Sequence, residues 1–325
     1  MLQYLVILLD DIATSYCYFE NSKTKSQLMS IENLRAGILF GMKENLMINI
    51  VYPNYDLPQG YSDVIDTIDH CNIMPVARED ADVIVINNWK EMADCSFRVR
   101  KNYVLRISKL DLFEKRVLIK ELLGKVARLN VVITDIESFS NADFDTYKTC
   151  LDEWSHELVR LCALGSSPQF NLITDRLGLN KMNNCGAGDT LITLAPDGHF
   201  YVCPAFYYDS PCDGTEKSLG DVCTKRYNIG SLKDGLNISN PQLYGLSHAP
   251  LCRKCDAYHC KRCVWLNRRT TFEVNTPGHE QCVVAHLERN ASRDLLASIQ
   301  KRGKVFPRIE IKEIDYLDPF DVRER

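Results

Sequence analysis

Over roughly its first 180 residues the chain alternates short apolar runs with longer stretches in which apolar residues recur every three or four positions. Residues 4–9 form a continuous apolar run, which predicts a strand buried on both faces. Residues 30–45 then read as a helix, with Ser30 as N-cap and Ile31, Leu34, Ile38 and Met42 on one face. The same reading gives strands at 48–52, 83–86, 104–107 and 131–134 and helices at 62–70, 110–123 and 143–164. Such alternation implies α/β architecture with a parallel sheet, because parallel neighbours need a crossover between them. Open and barrel-shaped sheets of this kind both collect ligands at the carboxyl ends of their strands. The loop after the first strand, with Asp10, Asp11, Thr14 and Cys17, is therefore the first place to look for chemistry.

From Phe170 the alternation stops, and Gly, Pro, Asn and Cys become frequent. A strand-turn-strand pattern follows, 191–194 and 200–202 around Pro196-Asp197-Gly198, and it ends on Cys203. Cys252, Cys255, Cys260 and Cys263 fall within twelve residues, and Cys282 comes after a gap of eighteen. Thiols this close suit a metal centre, since a tight loop lets several sulfurs converge while bulky side chains stay outside. The division is thus an α/β domain over 1–180, a Cys-rich domain over 181–290, and a tail over 291–325 with a helix at 292–301.

Composition narrows the class. A chain of 325 residues with 45% hydrophobic and 25% charged residues is ordinary for a globular protein. A net charge of -4 argues against a nucleic-acid partner held by a broad basic face. The start, MLQYLVILLDD, has no basic residues before its apolar run and reads as a strand rather than a signal peptide. No apolar stretch is long enough to cross a membrane. The fourteen cysteines are accordingly expected in a reducing cytoplasm, where clustered thiols bind metal more often than they pair.

The stretch from Cys185 to Cys282 resembles the SPASM domain, the cluster-binding extension of many radical S-adenosylmethionine (SAM) enzymes that modify peptides. The resemblance is carried by Cys185, twelve residues, Gly198, four residues and Cys203, then Tyr227-Asn228-Ile229-Gly230-Ser231-Leu232, the compact cysteine group and Cys282. The second and third intervals of the compact group are each one residue shorter than is common in that family. The resemblance implies 4Fe-4S clusters, one or two auxiliary: Cys252, Cys255, Cys260 and Cys282 for one, and Cys185, Cys203 and Cys263 for another. In the second set Cys212 or Cys223 is a candidate fourth ligand, or an iron stays open for substrate.

The first half is similar to a radical SAM partial (β/α) barrel whose CxxxCxxC loop is degenerate. Tyr16-Cys17-Tyr18-Phe19 matches the end of that loop, but Asp10 and Thr14 stand at its other two ligand positions. The Gly-Gly-Glu-Pro motif is replaced by Tyr52-Pro53-Asn54-Tyr55-Asp56. A threonine hydroxyl is a poor substitute for thiolate, so ordinary reductive cleavage of SAM is not expected here. As a whole the chain resembles the CXXX-repeat peptide maturases. That implies maturation of a ribosomally synthesised, Cys-rich precursor peptide by an enzyme or half of one, with a second maturation protein as possible partner.

Two other readings belong to other classes. One is a non-catalytic pseudoenzyme that presents a precursor peptide to an active partner; the other is a binding module stabilised by zinc, with His259 near the thiols. Arg268 and Arg269 are candidates for tuning a cluster or holding an acidic leader peptide, against the default of a solvated basic face. Cys17 alone is also readable as a buried apolar side chain. In the segment Gly186-Ala187-Gly188, the glycines are expected to let backbone amides approach sulfur.

Overall fold

The computed structural model describes residues 1–21, 23–76, 80–98, 101–209, 227–302, 310–314 and 318. Cys212 and Cys223 lie outside the described residues. In chain order the elements are Tyr4–Leu8 (β1), Ile31–Lys43 (α1), Met47–Val51 (β2), Tyr61–Ile65 (α2), His70–Pro75 (β3), Val83–Ile86 (β4), Trp89–Asp94 (α3) and Asn102–Ile107 (β5). There follow Lys109–Glu114 (α4), Arg116–Leu122 (α5), Arg128–Ile133 (β6), Asn141–Ala163 (α6), Gln169–Phe170 (β7), Leu191–Leu194 (β8), His199–Tyr201 (β9) and Pro204–Tyr208 (α7). Asn228–Ser231 (β10), Gly235–Leu236 (β11), Val264–Thr271 (α8) and His279–Gln300 (α9) complete the order.

Two compact units interleave along the sequence. The first takes Met1–Val85 and Gly186–His248, the second Ile86–Cys185 and Ala249–Arg325. The boundary read from composition at 180 falls shortly before the chain passes from the second unit back to the first.

In the first unit β1 lies between β2 and β8, parallel to both, and β3 and β4 continue the parallel order beyond β2. Beyond β8 the sheet turns antiparallel through β9, β10 and β11. Strand β1 is buried from Leu5 onward, as a strand covered on both faces must be. Ser30 caps α1 by accepting the Asn33 N–H. The helix buries Leu34, Gly37, Ile38 and Gly41, whereas Met42 is 59% exposed, so Met42 does not belong to the inner face. Glycine sets this docking distance: a Cβ on Gly41 would stand 2.7 Å from Ile48 Cδ1, and one on Gly37 would strike Leu194. The helix expected at 62–70 ends at Ile65, and His70 already opens β3, whose residues pair with β2 on one side and β4 on the other.

In the second unit β5, β6 and β7 are parallel in that order. The helix expected at 110–123 is two helices that meet at Lys115. The long α6 opens with a capping box between Ser140 and Asp143, and a 2.9 Å ion pair from Lys109 helps hold the Asp143 carboxyl at about 2, below its ordinary value. Helix α9 packs along α6, with Leu151, Trp154 and Leu158 buried on one and Leu295, Leu296 and Ile299 on the other. The helix expected at 292–301 is the second half of α9, which begins at His279.

Candidate functional site: the loop after the first strand and a four-thiol cavity

The loop after β1 is closed by its own polar groups. Asp10 is fully buried. Its Oδ1 accepts the backbone N–H groups of Ile12 at 2.8 Å and Gln27 at 3.3 Å. Its Oδ2 accepts the hydroxyls of Ser26 at 2.7 Å and Tyr55 at 2.6 Å. Four donors on one carboxylate leave it little capacity to serve a metal. Asp11 is engaged as well: Tyr207 donates its hydroxyl to Oδ1, and Lys23 Nζ lies 3.1 Å from Oδ2 and 3.7 Å above the Tyr207 ring. Burial, followed by the hydrogen bond to Asp11, pushes the Tyr207 phenol far above its ordinary range.

Thr14 is buried, and its N–H donates to the Tyr52 carbonyl at 3.0 Å. Cys17 is half-buried in an aromatic stretch where Phe19 meets Tyr16 edge-on and stacks on Tyr208 at 5.3 Å. Asn21 ties the loop by donating to the carbonyls of Asp11 and Ala13. One thiol, one hydroxyl and one saturated carboxylate do not fit a cluster that needs three protein ligands and one open iron.

The second unit offers the opposite arrangement. Cys252, Cys255, Cys260 and Cys282 line one small, largely apolar cavity of about 20 Å³. Local hydrogen bonds make the convergence possible. A 3-10 turn over Cys252–Lys254 brings the Cys255 N–H to the Cys252 carbonyl at 3.1 Å, and the Cys260 N–H reaches Ala257 at 2.9 Å. Cys282 comes from the first turn of α9, where its N–H donates to Gly278. Burial pushes the thiols up, Cys252 to about 11 and Cys260 to about 12, and Cys255 and Cys282 also move upward. Buried Arg262, another lining residue, opposes the shift at Cys252.

Without a cation these four thiols stay protonated at neutral pH, and a metal centre removes the protons. The donor set fits an iron-sulfur cluster, for which the space, near that of one water molecule, has to widen. Gln281 Oε1 is buried at the same cavity with no hydrogen-bond partner among the described residues. Among the described residues no three His, Cys, Asp or Glu side chains, these four thiols included, stand close enough to hold a single metal ion.

The other sequence-predicted positions fall elsewhere. Cys263 is the N-cap of α8, its Sγ accepting the Leu266 N–H at 3.5 Å. Cys185 is exposed, and its N–H donates to the Lys261 carbonyl at 3.1 Å. Cys203 belongs to the first unit, at the N-cap of α7. Gly186 and Gly188 form the turn into β8 at φ +74° and +78°, where a side chain on Gly188 would meet the Tyr244 ring. His259 faces Glu288 at 3.0 Å, and Tyr147 donates to the same carboxylate at 2.7 Å. Arg269 pairs with Glu137 at 3.3 Å, and Arg268 donates to the Phe272 carbonyl. Sequence reading missed Tyr55, Ser26, Lys23 and Tyr207 around the aspartates, and Arg262, Gln281 and His286 around the thiols. The one signal available was the spacing from Cys282 to His286, a helical i, i+4 pair.

No protein-family model and no curated protein matches the sequence. Among solved structures the chain is similar to anSMEcpe, solved with bound AdoMet. Native anSMEcpe with bound AdoMet aligns at a TM-score of 0.57 and 12% identity, over 93% of this chain and 100% of that one. The form with AdoMet and the Kp18Cys peptide aligns at 0.58 and 11%, over 92% and 99%. The fold is therefore mixed α/β, like that of anSMEcpe.

Proposed function

We propose that this chain takes part in maturing a ribosomally made, Cys-rich peptide and carries an iron-sulfur cluster on Cys252, Cys255, Cys260 and Cys282. The observation that carries this reading is that four thiols, Cys252 buried and the other three half-buried, line one cavity. The likeness in fold to anSMEcpe, solved with AdoMet and peptides, supports it. Such a cluster supplies electron transfer, or an iron able to bind substrate sulfur, at a potential set by burial and by hydrogen bonds to its ligands. The chain's own residues give the thiolates, keep water from them with an apolar lining, and place the Arg262 charge beside them. No described helix is long and apolar enough to cross a membrane, and a reducing cytoplasm is where clustered thiols bind metal more often than they pair.

A specific observation also favours the pseudoenzyme reading. Asp10 and Asp11 spend their oxygens on Tyr55, Ser26, Tyr207, Lys23 and backbone amides, so the first loop lacks the ligands for reductive SAM cleavage. In this form the chain presents the peptide and a partner maturation protein supplies the radical. Anaerobic purification tests the first proposal: iron and acid-labile sulfide accompany the chain if it holds, and a colourless, iron-free protein refutes it. Incubation with SAM and a reductant separates the two roles, since cleavage by the chain alone would rule out the pseudoenzyme.

A further inference from the structure

Helix α9 brings more than Cys282 to the thiol cavity. His286 stands four residues further on, so about one helical turn puts both side chains on the same face. It is only 4% exposed and lines the cavity, and its Nε2 lies 3.4 Å from Cys255 Sγ. The Ala257 N–H already approaches the same sulfur at 3.4 Å. A thiolate offers only lone pairs, so a nitrogen facing it has to carry the hydrogen.

The distance between the two is fixed by a neighbouring clamp. Arg289, three residues beyond His286 and fully buried, holds both oxygens of Asp256 at 2.6 and 2.7 Å. Asp256 directly follows Cys255, so this bidentate pair fastens the Cys255 segment to α9. Arg176 adds a 2.6 Å hydrogen bond to the Asp256 carbonyl, and Ser292 ties the next turn of α9 to the Ile173 carbonyl at 2.6 Å. The imidazole is thus aimed at its sulfur by parts that do not depend on the sulfur itself.

We propose that His286 is a positioning residue that donates its Nε2–H to the Cys255 sulfur and so raises the reduction potential of the cluster. The inference rests on the four-cysteine reading above. Reduction adds one electron from an external low-potential donor such as dithionite, and no covalent bond forms or breaks. The added negative charge is shared with the ligand sulfurs, and a donor already directed at one of them stabilises the reduced state more than the oxidised one. An apolar surround screens this interaction weakly.

The test compares the full chain, loaded anaerobically with iron and sulfide, with His286→Ala and His286→Gln. Iron and sulfide are counted per chain, and the midpoint potential is read by redox titration followed by electron paramagnetic resonance. His286→Ala is expected to keep its iron and shift to a more negative potential, and His286→Gln, whose amide can donate, to recover part of the shift. An unchanged potential in a fully loaded His286→Ala overturns the inference. Loss of iron in both variants also overturns it, by making the imidazole a ligand or a packing element. Iron missing from the unsubstituted chain is a different failure: it removes the four-cysteine reading itself, and this inference with it.

Discussion

The loop after β1 and the cavity at the start of α9 are both places where the sequence pattern suggests a cluster, and they solve burial in opposite ways. At the loop each buried carboxylate has partners within the protein: Asp10 has four donors, and Asp11 has a phenol and an ammonium. At the cavity four thiols and Gln281 Oε1 are withdrawn from water, and although Cys255 Sγ meets the His286 imidazole and the Ala257 N–H, Gln281 Oε1 has no partner among the described residues. A satisfied network is complete without a ligand, whereas a group of desolvated donors is complete only with one. A ligand motif is therefore judged by what already occupies its donors as well as by its spacing.

The comparison breaks most sharply at Cys282. Cys282→Ser is expected to lose the iron held by this set, since a buried hydroxyl is a poor substitute for thiolate, and anaerobic iron and sulfide analysis reads the loss. Retention of full iron would move the centre away from the cavity. The next largest effect is at the loop: Asp10→Ala strands two hydroxyls and two amides and is expected to cost about 3 kcal/mol in chemical denaturation, with iron unchanged. Tyr207→Phe removes one donor from Asp11 and is expected to cost about 1 kcal/mol. Because its folded pKa is raised, the protonated phenol contributes in full below its ordinary value near 10 and is lost only as pH rises through the folded value. The Tyr207→Phe deficit should therefore persist unchanged up to about pH 10. Cys17→Ala is the smallest change, with iron per chain equal to that of the unsubstituted protein. A fall by about one cluster's worth would show that the loop recruits ligands after all.

Much of the fold is legible where one force dominates. The apolar run that becomes β1 and the Ser30 cap of α1 follow from burial and capping alone. Met42 was misplaced because a period of four drifts round the helix, and because two glycines, which carry no apolar signal, form the contact. Strand β3 mixes His70, Cys71, Asn72 and Pro75 and is made a strand by its neighbours β2 and β4. The first half of α9 was obscured by His286, Glu288 and Arg289, which are buried in polar contacts.

Among the site residues, the four cavity cysteines were visible as spacing. The partners of Asp11 were not, since Tyr207 lies 196 positions away and only the tertiary fold brings it close. His286 needed the register of α9, because a side chain's direction is known only once the helix is.

Helix α9 presents Cys282, His286, Glu288, Arg289 and Ser292 to the thiol cavity and to partners on other segments of the second unit, each from a different position on one rod. Inserting or deleting a single residue between 282 and 286 would rotate everything downstream by about 100° relative to Cys282. The thiol could keep its place only if the imidazole, carboxylate, guanidinium and hydroxyl all lost theirs. Natural variation in this stretch should therefore appear as exchanged side chains at constant length, with changes of length confined to the connections before it.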